Sequence, residues 1–177
     1  MKISRLLLLS LTLLFVSACG SGQPPAAPVA VKTVNDYFTI KVGDRRVQMQ
    51  LAVTEPEMEH GLMDRRDLAP DEGMLFVYTQ PQAMSFWMHN TPTPLDIGFF
   101  DRTGKLQEVY QMQPFDETTV ASRSKELQFA LEMNQGWFHA NGVLPGAQLD
   151  LAALAAGLKA RGFEPEAFGL EAAGVGR

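Results

Sequence analysis

Residues 86–101 read Phe-Trp-Met-His-Asn-Thr-Pro-Thr-Pro-Leu-Asp-Ile-Gly-Phe-Phe-Asp and link two apolar runs through a proline-spaced turn. Pro92 and Pro94 fix their own backbone angles and push the preceding threonines into extended conformations. The apolar residues on either side predict one strand over Met84–Met88 and another over Asp96–Phe100. The stretch therefore predicts a stiff crossing between two strands.

Working outward, most of the chain shows short strand patterns separated by turn residues. The second run of a predicted hairpin alternates apolar and polar residues from Arg46 to Val53, which indicates one buried and one solvated face. Gln80-Pro81-Gln82 predicts a turn. The other predicted strands are Phe38–Val42, Met74–Tyr78, Lys105–Met112, Leu127–Met133 and a closing strand, Gln148–Leu151.

Only two short helices are predicted. Thr54 and Glu57 form a capping-box pattern at the start of a helix that reaches about His60, where Gly61 is placed to end it. Residues 136–142 predict a single helical turn. Many short strands with one or two small helices indicate a mainly β, compact single domain, a sandwich or a barrel.

The N-terminus carries an export pattern. Residues 1–18 have a basic start, an apolar middle and small residues at the end, which is typical of a secretory signal peptide. The next residue, Cys19, is the only cysteine, and Val16-Ser17-Ala18-Cys19 resembles the lipobox of bacterial lipoproteins. We expect Cys19 to be lipidated, for example with palmitate, and to anchor the protein to a membrane. The alternative is an ordinary cleaved signal that leaves a free thiol.

The predicted organisation has four parts. The signal peptide (residues 1–18) precedes the lipidated cysteine and a flexible, proline-rich linker (residues 19–31). A β domain spans residues 32–158, and residues 159–177 form a frayed tail or a loosely docked helix. The expected location is the cell envelope, on the cell membrane or the outer membrane, facing the periplasm or the exterior.

The charge argues against nucleic acid as a partner. The formal net charge is −5, and removal of residues 1–18, which hold two basic and no acidic side chains, makes it −7. No run of basic residues is present to neutralise phosphates. The predicted membrane attachment therefore comes from the lipid alone.

The candidate site residues cluster around the crossing. Trp87 offers a stacking face, His89 a titratable group, and Asn90 and Thr91 hydrogen-bonding groups, while Asp96 is an acceptor or a general base. Arg65, from an earlier loop, is a candidate partner for Asp96 or for an anionic ligand.

Three functions stay open for this group. One is a cleft that binds a small or polymeric envelope ligand, and another is a hydrolase-like enzyme centred on Asp96 with His89 or Arg65. The third is a structural or partner-binding lipoprotein in which Asp96 only holds the turn together. We favour binding over catalysis because no nucleophile and base are visibly paired.

No metal and no cofactor is expected. The nine methionines and three histidines of an exported protein suggest copper. However, the histidines lie far apart, no Met-x-x-Met or His-x-x-x-His pair occurs, and most methionines fall on apolar strand faces. Dinucleotide and phosphate-loop motifs are also absent from the sequence.

Several ordered motifs resemble the domain of unknown function 192 family of bacteria and archaea over about residues 39–151. They are Gly61-Leu62-Met63-Asp64-Arg65, Gly73-Met74-Leu75-Phe76, Phe86-Trp87-Met88-His89-Asn90-Thr91, Pro94-Leu95-Asp96-Ile97, Ala130-Leu131-Glu132, Gly142-Val143 and Pro145-Gly146. The resemblance implies a compact, mostly β domain of jelly-roll-like character, often exported, with no settled activity.

The resemblance also bears on two single positions. Glu132 alternates onto the predicted polar face of its strand, where it would be solvated or salt-bridged, but the resemblance keeps it as a ligand-binding candidate. His89 stands where the family usually has lysine. A role that needs a permanent positive charge there is not expected, since histidine is mostly neutral at pH 7.

Overall fold

The computed structural model describes residues 30–170. Its strands are β1 (Phe38–Val42), β2 (Arg45–Ala52), β3 (Glu72–Gln82), β4 (Ser85–Phe86), β5 (Leu95–Asp101), β6 (Leu106–Met112), β7 (Val120–Ala121) and β8 (Leu127–Asn134). Its helices are α1 (Glu55–His60), α2 (Trp137–Ala140), α3 (Leu151–Ala160) and a 3₁₀ turn, Pro165–Phe168. Within residues 30–170, no helix has the length and apolar character needed to span a membrane.

Six strands form one sheet in the order β1-β2-β3-β8-β5-β6. All neighbours are antiparallel except β2 and β3, which run parallel and are connected through α1. The last strand in the chain, β8, lies between β3 and β5, at the centre of the sheet. Strands β4 and β7 form a separate small sheet.

The mainly β class is confirmed, but the predicted sandwich or closed barrel is not found among residues 30–170. At one end of the sheet, the edge strand β1 and the residue before β6 each form a β-bridge to the same segment, Val42 to Leu149 and Lys105 to Gln148. The predicted closing strand is thus reduced to two bridges, because α3 begins at Leu151, with the Asp150 side chain accepting the Ala153 N–H at 3.0 Å.

Each face of the large sheet covers its own apolar core, because successive strand residues point to opposite faces. The face called here the α3 face carries Leu75 and Val77 of β3 beneath α2, α3 and the 3₁₀ turn. The opposite face, called the Trp87 face, carries Met74 and Phe76, which pack in the same core as Phe86. Both faces of β3 and β8 are therefore buried.

Several local patterns that the sequence predicts are confirmed. Strands β1 and β2 form the predicted hairpin, and α1 ends at the predicted residue. The Glu57 carboxylate accepts the backbone N–H groups of Val53 and Thr54 at 2.9 and 3.0 Å, as the capping box requires. The single helical turn predicted over residues 136–142 is α2, which Gly136 precedes.

Two predictions between residues 80 and 88 are wrong in detail. Gln80-Pro81-Gln82 continues β3 instead of turning, and Gln82 pairs with Leu127 beyond an irregularity in the ladder. A proline is tolerated at such an irregularity because no ladder hydrogen bond needs its missing N–H. The strand predicted over Met84–Met88 shrinks to Ser85–Phe86, which pairs only with β7.

Residues 159–170 pack against the domain, whereas the sequence predicted a frayed tail or a loosely docked helix. Phe168 and Leu170 are each 5% exposed and belong to the core of the α3 face. Arg161, 8% exposed, donates to the Leu51 carbonyl and pairs with Glu57 of α1. The predicted signal peptide, Cys19 and almost all of the linker lie outside the described residues.

Candidate functional site

The predicted site residues lie on different faces of the sheet. Asp96 and Glu132 belong to neighbouring strands, where Ile97 is the register partner of Glu132 and Asp96 that of Met133. Met133 packs in the core of the α3 face and Ile97 in that of the Trp87 face. Asp96 therefore points towards α2, and Glu132 points towards Trp87.

Asp96 is an anchor for the start of α2. It is 3% exposed, and its Oδ2 accepts the Gly136 N–H at 2.8 Å. Burial raises the pKa of Asp96, although the backbone N–H groups of Gly136 and Phe138 partly offset that rise. The missing side chain of Gly98 leaves room for Phe138, because a Cβ there would lie 2.6 Å from the Phe138 ring. Asp96 lines none of the hollows near Arg65, Trp87 or Trp137.

Arg65 does not pair with Asp96. Its guanidinium donates to Gln50 Oε1 at 2.9 Å, to the Tyr37 hydroxyl at 3.0 Å and to Asp67 Oδ1 at 2.8 Å. These contacts place it beside a hollow of about 250 Å³ on the Trp87 face. The predicted Arg65–Asp96 partnership is wrong, because the guanidinium is taken up by three other acceptors.

The residues from Trp87 to Thr91 lie together, each with a different local role. The Trp87 ring, 48% exposed, stacks on the His89 ring with centroids 4.9 Å apart, and His89 Nδ1 lies 2.7 Å from Glu117 Oε1. Asn90 adopts a φ of +49°, a left-handed conformation that asparagine tolerates well. Thr91 is buried and donates its hydroxyl to the His89 carbonyl at 3.0 Å.

A groove, here called the Trp87 cleft, runs between α1 with its following turn and the segment after β4. It consists of three adjoining hollows of about 470, 30 and 460 Å³ that all include Glu59 and Trp87. Its walls are formed by Met58, Glu59, His60, Met63, Phe86 and Trp87. Thr91 and Glu132 line the smallest hollow, which forms the floor.

Glu132 is the buried carboxyl of this cleft. It is 4% exposed, and burial alone raises its pKa to about 8, with no hydrogen bond or nearby charge offsetting the shift. Burial and the charge of Glu132 together raise the pKa of Tyr78. The expectation of a solvated or salt-bridged Glu132 is wrong, because β8 is a central strand and loops cover its second face.

The Trp87 cleft is acidic. Glu55 and Glu59 line its outer hollows, and Glu132 lines its floor. Among the described residues that line the three hollows, His60 is the one basic side chain, and there is no lysine or arginine. The contribution of α1 to this cleft was not predicted from the sequence, since the capping box indicates a helix but not where it docks.

The wall formed by α1 is held from its far side. None of the residues of α1 is buried, so the helix has little packing of its own. Arg161 pairs with Glu57, and its guanidinium lies 5.4 Å from the Phe163 ring. Burial acts to raise the pKa of Glu57, but the Arg161 hydrogen bond and the Thr54 and Val53 amides outweigh it and lower the pKa. This pair fixes α1 relative to the sheet.

Within residues 30–170, no group of three or more His, Cys, Asp or Glu side chains is arranged to hold a metal ion. Met58, His60 and Met63 nevertheless line the same cleft as Trp87. Thioether and imidazole groups are ligands for soft metals such as copper, although the spacing of these residues in the sequence did not indicate a shared site.

Solved structures similar to this chain include two bacterial proteins. One is a Sinorhizobium meliloti 1021 protein described provisionally as a transcription regulator, with a TM-score of 0.62, 32% sequence identity, and coverage of 64% of this chain and 92% of that chain. The other is a protein of unknown function from Novosphingobium aromaticivorans DSM 12444, also with a TM-score of 0.62 and 32% identity, covering 70% and 93%. No curated protein matches the chain.

The family comparison agrees with the resemblance found in the sequence motifs. The model of the DUF192 family, described as "Uncharacterized ACR", matches residues 38–151, which run from the start of β1 to the first residue of α3. The matched region includes the whole of the Trp87 cleft. The chain belongs to the DUF192 family.

Proposed function

We propose that this protein is an exported, lipid-anchored binding protein that takes a small molecule, or an exposed part of an envelope polymer, into the Trp87 cleft. One observation carries the proposal. A half-exposed indole stands above a buried carboxyl that has no partner among the described residues and faces a hollow. Burying such a carboxyl costs stability unless a bound group compensates it.

The location rests on the sequence. The lipobox-like stretch ending at Cys19 supports lipidation, and the linker after it supports a domain held away from the membrane surface. The acidic charge argues against DNA contact, so the provisional description of the Sinorhizobium protein is not extended to this chain.

The hydrolase-like alternative centred on Asp96 has less support. Asp96 lies on the α3 face, while His89 pairs with Glu117 and Arg65 with Gln50, Tyr37 and Asp67. The three candidate catalytic groups are thus directed to different partners. No observation favours that reaction over binding.

Methionine-methyl NMR tests the binding proposal. The full chain, purified in detergent, is labelled on its methionine methyl groups and titrated with soluble bacterial cell-wall fragments. We expect the methyl signals of Met58 and Met63 in the cleft to shift, while those of Met49 and Met133 on the α3 face stay unchanged.

A matched pair of variants tests whether the methyl shifts report binding in the Trp87 cleft. Trp87→Ala should weaken binding by about two- to tenfold, since stacking on an aromatic face contributes about 0.5 to 1.5 kcal/mol. Phe115→Ala, which removes another exposed aromatic outside the cleft, should leave binding unchanged. Equal loss in both variants, or no shift of Met58 and Met63 with any fragment, would contradict the proposal.

Fractionation of cells tests the anchor. The wild-type protein should incorporate a labelled palmitate analogue and sediment with membranes, and Cys19→Ser should do neither. A Cys19→Ser protein that is processed normally and stays with the membranes would overturn the lipid anchor while leaving the cleft unaffected.

A further inference from the structure

The floor of the Trp87 cleft encloses a carboxyl that has no cation beside it among the described residues. Glu132 is only 4% exposed, and no charge or hydrogen bond within residues 30–170 offsets its burial. Glu55 and Glu59 add further negative charge at the mouth. A positively charged ligand would pair with the carboxylate form of Glu132 and offset the negative charge of Glu55 and Glu59.

The small size of the floor favours a compact charged group. The hollow next to Glu132 is the smallest of the three, with a volume of about 30 Å³, which leaves room for only a few water-sized groups. A primary ammonium, with one heavy atom, needs the least room of the organic cations. A bound metal ion is disfavoured because Glu59, His60 and Glu132 do not form a group of three metal ligands.

The walls select what carries the group. Met58 and Phe86 line one outer hollow and Met63 the other, and both outer hollows expose more apolar than polar surface. Trp87 lines all three hollows. His89 lines none of them, so the indole surface in the cleft is not the one that the imidazole covers. An alkyl chain can therefore lie against Trp87 while its charged end lies close to the ring and gains a cation–π contact.

We propose that the Trp87 cleft recognises a primary ammonium at the end of a short alkyl chain, as in a lysine side chain or an aliphatic diamine, with the ammonium paired to Glu132. This inference rests on the proposed function, because it names the ligand class of the same cleft. Thr91, on the same floor, keeps lone pairs that can accept one further N–H of the ammonium.

Such binding is coupled to a proton. The pKa of about 8 keeps most Glu132 carboxyls protonated at pH 7, so pairing with the ammonium releases the carboxyl proton to solvent. The other titratable groups that line the cleft are Glu55, Glu59 and His60 of α1, with Tyr78 on β3. Because an alkylammonium stays charged up to about pH 10, affinity should rise about tenfold from pH 6 to pH 7.

Three related probes test the inference in the full chain by the same methyl signals. Nα-acetyl-L-lysinamide carries the ammonium, Nα-acetyl-L-norleucinamide lacks it at almost the same size, and the Nε-acetylated form loses the charge and is longer. We expect the first to shift Met58 and Met63 and to bind at least tenfold more tightly than the other two. Glu132→Gln should abolish the preference, and Asp96→Asn, which alters the buried carboxyl of the α3 face, should retain it.

The outcomes separate this inference from the proposed function. If all three probes bound equally, or if cell-wall fragments bound but none of the probes did, the cleft would remain a binding site. Recognition of a primary ammonium would be overturned. Absence of any shift with fragments and probes would overturn both. If Cu(I) or Zn(II) alone shifted Met58 and Met63, and the Met58 shift were lost in Met63→Leu, the ligand of the cleft would be a metal ion and not an ammonium.

Folding of the Glu132 variant is checked in the same spectrum. Unchanged methyl signals of Met49 and Met133 show that the α3 face is intact. If the variant does not fold, the affinity of the wild-type chain for Nα-acetyl-L-lysinamide at pH 6 and pH 7 decides. An affinity that does not change between these two values would overturn the pairing with Glu132.

Discussion

Glu132 and Asp96 are buried carboxyls on the two neighbouring central strands, one register position apart, and they face opposite sides of the sheet. Asp96 is enclosed, accepts the Gly136 N–H and positions α2. Glu132 faces the small hollow at the floor of the acidic Trp87 cleft and accepts no hydrogen bond that lowers its pKa. Burial alone therefore does not mark a site. Asp96, which has a backbone partner for one of its two oxygens, supports the fold, whereas Glu132, which faces a cleft, is the proposed binding group.

The largest effect expected from this difference is a pH dependence of stability. Folding raises the pKa of Glu132 from 4.5 to about 8, so between these values the native state binds more protons than the unfolded state. The free energy of unfolding should then fall as pH rises, by about 1.4 kcal/mol per unit, or roughly 4 kcal/mol from pH 5 to pH 8.

Glu132→Gln should remove this slope and leave stability at pH 5 nearly unchanged, as measured by urea unfolding at each pH. Asp96→Asn serves as the control and should keep the slope, because two backbone N–H groups partly offset the rise in the pKa of Asp96. If the free energy of unfolding of the wild-type protein did not change between pH 5 and pH 8, Glu132 would not have the raised pKa that distinguishes it from Asp96.

Arg161→Ala should have the next largest effect, because it breaks a partly buried pair. It leaves the Leu51 carbonyl without this donor and Glu57 without its cation, and loss of hydrogen bonds that involve a charged group costs about 2 to 3 kcal/mol. The loss should appear in urea unfolding and should loosen α1, so the Met58 methyl signal should broaden. A stable variant with an unchanged Met58 signal would show that α1 is held by other contacts.

Asp96→Ala should destabilise by about 2 kcal/mol, since it leaves the Gly136 N–H without its acceptor. For a domain of this size, that lowers the melting temperature by several degrees. Ligand affinity measured on the folded variant should not change. If Asp96→Ala weakened binding without changing stability, Asp96 would be part of the binding site, and Asp96 and Glu132 would not differ in role.

Trp87→Ala should have the smallest effect on stability, about 1 kcal/mol, because only half of the side chain is buried. Thermal melting checks this value beside the binding experiment. A loss of stability as large as that of Asp96→Ala would indicate that Trp87 is part of the core and not of a cleft.

The sequence predicted local structure well where the signal is local. The alternation in β2 and the capping box of α1 depend on residues a few positions apart, and both are found. The helix α3 was missed although Asp150 precedes a run of alanine and leucine, which are good helix formers. Gly157 weakened that pattern, and it is needed because a Cβ there would lie 3.0 Å from Leu51.

Strand order was not available from the sequence, and the site depends on it. The alternation of β8 predicted one wet face, but pairing with β3 and β5 over long sequence distances puts both faces of the strand under cover. That position turns Glu132 from a surface residue into the floor of the cleft. It also separates Asp96 from Arg65, which the sequence-based prediction placed together.

The central position of β8 also constrains the order in which the chain can fold as it is synthesised. Strands β3 and β5 emerge first, but the strand that pairs with both follows only at Leu127–Asn134. Until then, two apolar strands have unpaired edges, and such edges promote aggregation. Formation of the sheet therefore depends on late, long-range contacts, so a chain truncated before Leu127 should remain a client of holding chaperones instead of forming a smaller stable domain.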